Sequence, residues 1–315
     1  MRLLLVFAFA VAACSSPAAE PAPAPTATAG GATEPPGETY AVSMDRRARV
    51  GERYHEHTLI RSRSTRVIKV SGEVSERESE EYELELSAAI TVTATTPDGR
   101  VTGYDVDIER LELRQGGAST DVVPPRSRVR VARVAPDEGD GSIELIGGGH
   151  LSDEQLDFLD DVFDTSLGLG DDDTFGTDEP QAVGASWPMD AAGARRELGD
   201  SAMFSDATEL TGQTTLTGVT DVDGVRCLQL EAVLEMGGFM LPDLPDGAVV
   251  EHSLLRGTMS GAFPIDPSIR RLRERQELHT AMRVRLPVAG MTTILEVQGD
   301  EVETSEYRRL DAAAP

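Results

Sequence analysis

The sequence predicts a mainly β fold, with long antiparallel strands in two halves and one short helix near residues 152–167. Several segments alternate apolar and polar residues, which is typical of strands with one buried and one solvated face. Residues that favour tight turns, such as Pro, Asp and Gly, separate these segments. One segment has the spacing of an amphipathic helix instead. Together these patterns favour a β-rich α+β architecture.

The first half, residues 39–167, contains the clearest strand, at residues 83–93, where apolar and polar residues alternate strictly. Pro97-Asp98-Gly99 should turn the chain into a second strand at 101–113, and residues 54–70 predict another strand. In the second strand the apolar positions shift by one between Ile108 and Leu111, which indicates a β-bulge. The apolar residues on one face of the clearest strand are Leu84, Leu86, Ala88, Ile90 and Val92.

The second half, residues 187–315, repeats this arrangement. Asp223-Gly224 predicts a hairpin turn into a strand at 225–236, and Cys227 lies on the face of that strand opposite its apolar residues. A strand at 278–288 should turn at Ala289-Gly290 and return. The predicted core face of the strand at 225–236 consists of Leu228, Leu230, Ala232, Leu234 and Met236.

The helix prediction rests on a capping box. Ser152 is the expected N-cap and Gln155 follows three residues later. Apolar residues then recur at helical spacing from Leu156 to Phe163, and the helix should end near Gly168. Residues 168–186 are rich in Gly, Asp and Pro, so we expect an acidic linker between the two halves.

The N-terminus has the order of a secretory signal. One positive charge at Arg2 precedes an apolar run at residues 3–11, which is too short to span a bilayer as a helix. Residues 11–16, Val-Ala-Ala-Cys-Ser-Ser, follow, and residues 1–16 together resemble the lipobox signal of bacterial lipoproteins. The resemblance implies that residues 1–13 are a signal peptide and that Cys14 is lipidated, which would anchor the chain to a membrane of the cell envelope. Ser15 after the cysteine favours the outer membrane if the host is Gram-negative.

Residues 14–38 are expected to form the lipid anchor and a tether. The segment is rich in Pro and Ala and contains no large apolar residue, so it cannot form a core. A Pro-rich chain of this kind is extended, at about 3 Å per residue. The folded domain should therefore stand away from the bilayer.

Net charge argues against a nucleic-acid partner. Removal of residues 1–13 takes one of the 29 basic residues and leaves all 55 acidic ones, so the mature chain carries a formal charge of −27. Phosphate backbones and anionic membrane surfaces repel such a protein. The expected partners are the membrane, through Cys14, and an envelope protein or a hydrophobic ligand.

A second resemblance rests on residues 183–187 and 261–266, each followed by long hairpins. These stretches read Val-Gly-Ala-Ser-Trp and Gly-Ala-Phe-Pro-Ile-Asp, and the order of long strands around them is similar to that of uncharacterised β-rich bacterial lipoproteins. It is also similar to that of periplasmic lipoprotein carriers with half-barrel folds. The latter implies a curved, open sheet that can hold a hydrophobic ligand.

Motifs for metal binding and catalysis are sparse. His55 and His57 would point to the same side of a strand, where alternating histidines can share a zinc ion, but no third ligand has a matching spacing. Cys227 would need a histidine and an orienting group nearby to act as a nucleophile. The acidic segments at 171–173 and 221–224 do not match the ligand pattern of an EF-hand. We therefore expect no metal and no cofactor.

No sequence pattern specifies a reaction. The chain contains no nucleophile elbow, phosphate loop or zinc-protease motif. The sequence favours a non-catalytic binding or envelope-structural domain. The alternatives are a carrier of lipid or another hydrophobic ligand within a half-barrel, and an extracytoplasmic hydrolase. Sequence alone does not locate the ligand site.

Overall fold

In a computed structural model, the described residues are 37–134, 141–163, 165, 171–197, 208–240, 244–245, 247–288 and 291–310. The predicted signal peptide, Cys14 and most of the tether lie outside the described residues. The predicted helix end at Gly168 and the predicted turn at 289–290 also lie outside them.

Long strands dominate the described chain, and three short helices accompany them. The strands are β1 Thr39–Tyr40, β2 Arg53–Val70, β3 Glu73–Thr95, β4 Val101–Gln115, β5 Ala118–Asp121, β6 Arg128–Ala132, β7 Ser142–Leu145, β8 Gln181–Ala182, β9 Ser186–Pro188, β10 Glu209–Val222, β11 Val225–Gly237, β12 Val249–Pro264, β13 Arg273–Val288 and β14 Met291–Arg309. The helices are α1 Asp153–Val162, α2 Asp171–Phe175 and α3 Ala191–Glu197. The predicted mainly β fold is confirmed.

One antiparallel sheet of 12 strands contains strands from both halves of the chain. Its order is β7-β6-β4-β3-β2-β14-β13-β12-β11-β10-β9, with β5 paired to β4, and β1 and β8 form a separate two-stranded sheet. The last long strand, β14, pairs with β2 from Thr293 opposite Val70 to Arg309 opposite Tyr54. This long pairing joins the two halves into one open sheet.

Turns and a bulge set the strand register as the sequence predicts. Asp223 and Gly224 have φ values of 50° and 80°, the left-handed conformations that a two-residue hairpin turn requires. Ser87 pairs with Arg110 whereas the next residue, Ala88, pairs with Ile108. The extra residue between them is the predicted bulge, and it keeps both flanking apolar residues on one face.

Helix α1 begins with the predicted capping box. The Ser152 side chain accepts a hydrogen bond from the Gln155 backbone, and the Gln155 side chain accepts one from the Ser152 backbone. The helix ends at Val162, short of the predicted end near Gly168. Phe163 already has an extended backbone, with a φ of −112°, and its ring is 1% exposed. Burial of this ring in the core outweighs continuation of the helix.

The described part of the expected linker, residues 171–186, contains α2 and β8. Phe175 at the end of α2 is 1% exposed and belongs to the second-half core. This segment therefore packs onto the sheet.

Two hydrophobic cores lie on the same face of the sheet, which we call the inner face. The first-half core lies under α1, which contributes Leu159 and Val162. The second-half core lies under Phe175 of α2, Trp187 of β9 and Ala194 of α3. The helices thus cover two regions of one inner face, and the two cores meet on the central strands, where β13 and β14 contribute to the second-half core and β2 to the first-half core.

The opposite, outer face of the sheet carries networks of ion pairs. Glu83 on β3, for example, bonds to Arg61 on β2 at 2.8 Å and to Arg114 on β4 at 2.5 Å. A similar network joins Arg283 to Glu251 and Glu296. No helix in the described part of the chain is long and apolar enough to cross a membrane.

Candidate functional site

A groove opens on the inner face of the sheet beside α2. It is a shallow groove that is open to solvent along one side, and its floor is formed by β11, β12, β13 and β14. Phe175 of α2 lines it from above. The groove therefore lies at the border between the second-half core and the middle of the sheet.

Two rows of cross-strand partners form the groove floor. The first row runs from Leu234 through Gly257 and Leu278 to Glu301. The second row runs from Ala232 through Met259 and Gln276 to Glu303. In both rows the side chains change from apolar on β11 to carboxylic on β14. The groove thus has an apolar end and an acidic end.

Hydrogen bonds to a single carbonyl fix the roof of the apolar end. The carbonyl oxygen of Phe175 accepts bonds from the Trp187 indole N–H at 2.8 Å and from the Thr214 hydroxyl at 3.0 Å. Thr214 is fully buried, and Trp187 has 7% of its surface exposed. Helix α2 has only five residues, so these tertiary bonds hold it in place.

One glycine, Gly257, leaves open space in the floor, and a second, Gly299, lies beyond the groove on the same face. A Cβ atom added at Gly257 would find a single neighbour, Cδ1 of Leu278, at 4.0 Å. At Gly299, which pairs with Thr280 two residue pairs beyond Leu278 and Glu301, its nearest neighbour would be the Arg63 carbonyl oxygen at 3.9 Å. Both distances are ordinary contacts or longer. Side chains could therefore occupy these positions, and the absence of one at Gly257 deepens the groove.

The acidic end is poorly solvated and negatively charged. Burial raises the pKa of Glu301 to about 7, and repulsion from Glu303 and from Asp161 of α1 adds to the effect. Burial, followed by repulsion from Glu301 and Asp161, raises the pKa of Tyr82 to about 12. The only charged groups that act on Glu301 in the described structure are acidic.

Glu303 is held by a chain of hydroxyl groups. Ser305 donates to Glu303 Oε1 at 3.1 Å and lies 2.8 Å from the Thr58 hydroxyl, which in turn donates to Glu56 at 3.1 Å. Either hydroxyl can be the donor in the contact between Thr58 and Ser305, so their two protons are shared among the three contacts. The chain crosses from β14 to β2, so it orients the Glu303 carboxyl and also ties the two halves together.

The histidines proposed from sequence as metal candidates lie on the outer face, away from the groove. Nε2 of His55 is 3.3 Å from a carboxylate oxygen of Glu109, and Nε2 of His57 is 3.4 Å from one of Glu85. Among the described residues, no three His, Cys, Asp or Glu side chains are grouped as a metal site would require. Each of these histidines thus lies within hydrogen-bonding distance of a carboxylate.

Cys227 also lies outside the groove. It is fully buried in a small outer-face cluster with Val222 and Ala262, and its thiol donates to the Val225 carbonyl at 3.4 Å. Burial raises the pKa of the thiol. A buried thiol with a raised pKa is a poor nucleophile.

Sequence analysis misses both carboxyl groups of the groove. Glu301 and Glu303 alternate along β14 with residues of the opposite face, and they continue the face that carries Leu295 and Val297. The signal in the sequence is thus a pair of acidic residues at positions where the alternation would place apolar residues. It has meaning only once the partners on β13 are known, because the chain contains 55 acidic residues.

Comparisons with known proteins do not place the chain in a family. No protein-family model matches the sequence, and no curated protein matches it. Among solved structures, the chain is similar to the crystal structure of Pseudomonas aeruginosa OpdQ, at 9% sequence identity and over 82% of this chain and 98% of that chain. The TM-score of 0.20 is too low to indicate a shared fold.

Proposed function

We propose that this chain is a membrane-anchored extracytoplasmic lipoprotein whose β domain binds a hydrophobic ligand in the inner-face groove. The anchor part of the proposal rests on the lipobox resemblance around Cys14. The binding part rests on the groove. In this proposal Cys14 sets where the protein acts and the sheet holds the ligand, without a chemical reaction.

One observation carries the binding proposal: the face is densely packed on both sides of the groove, yet the groove floor contains Gly257 where a side chain would fit. Ligand sites are concave and largely apolar, with a few polar groups that fix orientation. The combination of Leu234, Leu278 and Phe175 with two carboxyl groups has this composition.

The space beneath α1 is a poorer candidate for the ligand site. Leu159, Val162 and Phe163 at the helix and its C-cap are each at most 1% exposed and belong to one packed core. The groove lining includes Phe175 of α2 and no residue of α1. A hydrophobic ligand would therefore lie under α2.

Native mass spectrometry of the full chain tests the binding proposal. The Cys14→Ser variant removes the lipid anchor and retains every described residue. We expect it to retain a co-purified or added apolar ligand, and Gly257→Leu should abolish retention by filling the groove. Gly237→Leu is the matched control, because Gly237 is a strand glycine on the outer face, where a Cβ atom has a nearest neighbour at 3.8 Å. No ligand in any variant, or equal retention in all three, would contradict the proposal and favour a purely structural role.

A hydrolase is the second candidate, because a carboxyl group with a pKa near 7 beside another carboxyl group can act in general acid catalysis. Phe175 is the only aromatic residue that lines the described groove, and it is buried. A panel of aryl esters and aryl glycosides tests this candidate. Turnover that Glu301→Gln and Glu303→Gln abolish would establish it, and no turnover is expected from a binding protein.

A further inference from the structure

We infer that the groove accommodates a single-chain amphiphile with a positively charged head, the alkyl chain lying toward β11 and the head beside Glu301. This inference rests on the proposed binding function and specifies the chemical class of the ligand. An amine or a quaternary ammonium group satisfies the requirement for charge.

The apolar end suits an alkyl chain. Leu234 and Gly257 are cross-strand partners, as are Gly257 and Leu278, so the floor is continuous and apolar across three strands. Phe175 and Met259 complete the lining, and both are almost fully buried. Glu277 also borders the groove, but its side chain alternates to the outer face, where it pairs with Arg275 at 2.7 Å. Apolar ligand surface placed here would leave water at little polar cost.

The next residue in the same row is Glu301, the cross-strand partner of Leu278. An alkyl chain that follows the row across the sheet therefore meets a carboxyl group directly after Leu278. Glu303 lies two residues further along the same strand and face, and both carboxyl groups line the groove. The polarity of the floor thus matches that of an amphiphile.

The surroundings of Glu301 select the sign of the head group. The side chains that face it are Leu278 on β13, Ser62 on β2, Tyr82 on β3 and Asp161 on α1. None of these side chains is basic. A cationic head would compensate the clustered carboxylates in a partly desolvated site, where Coulomb attraction exceeds that at an exposed surface. An anionic head would add to the repulsion.

Overall protein charge attracts any cation, so the test needs a local control. Glu306 lies on the same strand as Glu301 but on the outer face, with its side chain 66% exposed. Glu306→Gln and Glu301→Gln change the net charge equally. Only Glu301→Gln alters the acidic end of the groove.

The experiment is calorimetric titration of the Cys14→Ser full chain at 0.15 M salt with octyltrimethylammonium, octanoate and octanol. We expect octyltrimethylammonium to bind about tenfold or more tightly than the other two. Glu301→Gln should abolish this preference and Glu306→Gln should preserve it. Because the quaternary ammonium does not titrate, its affinity should rise between pH 5.5 and 8.5 as Glu301 ionises.

The outcomes separate the inference from the proposed function. Equal binding of all three probes, blocked by Gly257→Leu, would overturn the cationic preference and retain the hydrophobic groove. If none of the three probes binds, both the proposed binding function and the cationic preference are overturned. If Glu306→Gln also removes the preference for the cationic probe, that preference comes from the overall charge of the protein, and the inference is overturned. Binding of a lysine-rich peptide without binding of the ammonium probe would also overturn it.

Discussion

Glu301 of β14 lies directly opposite Leu278 of β13 on the inner face of the sheet. Directly opposed side chains in an antiparallel sheet approach each other closely, so a carboxyl group here is forced against an apolar neighbour. Folding does not benefit from this arrangement, because a partly buried carboxylate loses hydration without gaining a basic partner among the residues that the structure describes. A residue that opposes folding and lines a groove is characteristic of a binding site.

The first prediction concerns the pH dependence of stability at Glu301. Its folded-state pKa of about 7 exceeds the ordinary value of 4.5, so the folded protein binds this proton more tightly than the unfolded chain does. Its contribution to stability should therefore fall as pH rises from about 4.5 to about 7 and stay level above that. Glu301→Gln should raise the free energy of unfolding by about 1–2 kcal/mol at pH 8, allowing for partial exposure, and have little effect at pH 4.

Urea denaturation at the two pH values measures this difference. Glu306→Gln serves as the control and should change stability little at either pH, because its side chain is exposed. Destabilisation by Glu301→Gln at pH 8 would show that the carboxylate has a stabilising partner and would contradict the account of the acidic end.

The second prediction concerns the ion pairs that attach α2 to the sheet. Arg271 bonds to Asp171 of α2 at 2.8 Å and to Glu274 of β13 at 2.7 Å, and the two carboxylates are 9% and 6% exposed. Arg271→Met should lower the free energy of unfolding by about 3 kcal/mol, because it removes the guanidinium group that both buried carboxylates share.

The matched variant is Arg275→Met, which removes an exposed pair with Glu277. Both partners are about half exposed, so the loss should be below about 1 kcal/mol. Chemical denaturation of the two variants supplies the comparison. Equal losses would refute the claim that Arg271 holds a desolvated network.

The third prediction uses the single tryptophan. Trp187 is 7% exposed and donates to the Phe175 carbonyl, so its fluorescence emission should be blue-shifted in the folded protein and shift to the red on unfolding. Trp187→Phe should cost about 1–2 kcal/mol through the lost hydrogen bond and lost packing. Emission at the wavelength of exposed indole in the native protein would contradict the structure of the apolar end.

The fourth prediction concerns the anchor. Cells that express the wild type and are fed a palmitate analogue should show a labelled protein, and Cys14→Ser should abolish the label. Cys227→Ser should remain labelled, because this second cysteine is buried in the folded domain. Equal labelling of the wild type and Cys14→Ser would refute lipidation at that position.

Local patterns predict individual elements well in this chain. The alternation around Leu86 predicts β3, the left-handed turn at Asp223-Gly224 predicts the β10–β11 hairpin, and the parity change after Ile108 predicts the bulge in β4. Each depends on interactions between residues close in sequence or in neighbouring strands of one hairpin.

The groove could not be predicted because it depends on the register of four strands. Gly257 interrupts the alternation of β12, so the strand itself gives a weak signal. Its effect becomes visible only when Leu234 and Leu278 are known to flank it. The pairing of β14 with β2 places Glu303 near Thr58. These strands are far apart in the sequence, so no local pattern predicts their pairing.

Equilibrium binding of a fluorescent alkylammonium probe to the Cys14→Ser full chain tests the central claim most directly. Fluorescence anisotropy should show saturable binding with one site for Cys14→Ser alone and for Gly237→Leu in that background. Gly257→Leu in the same background should remain folded by circular dichroism and show no saturable binding. Undiminished binding by folded Gly257→Leu protein would contradict the account, because the ligand would then lie outside the groove.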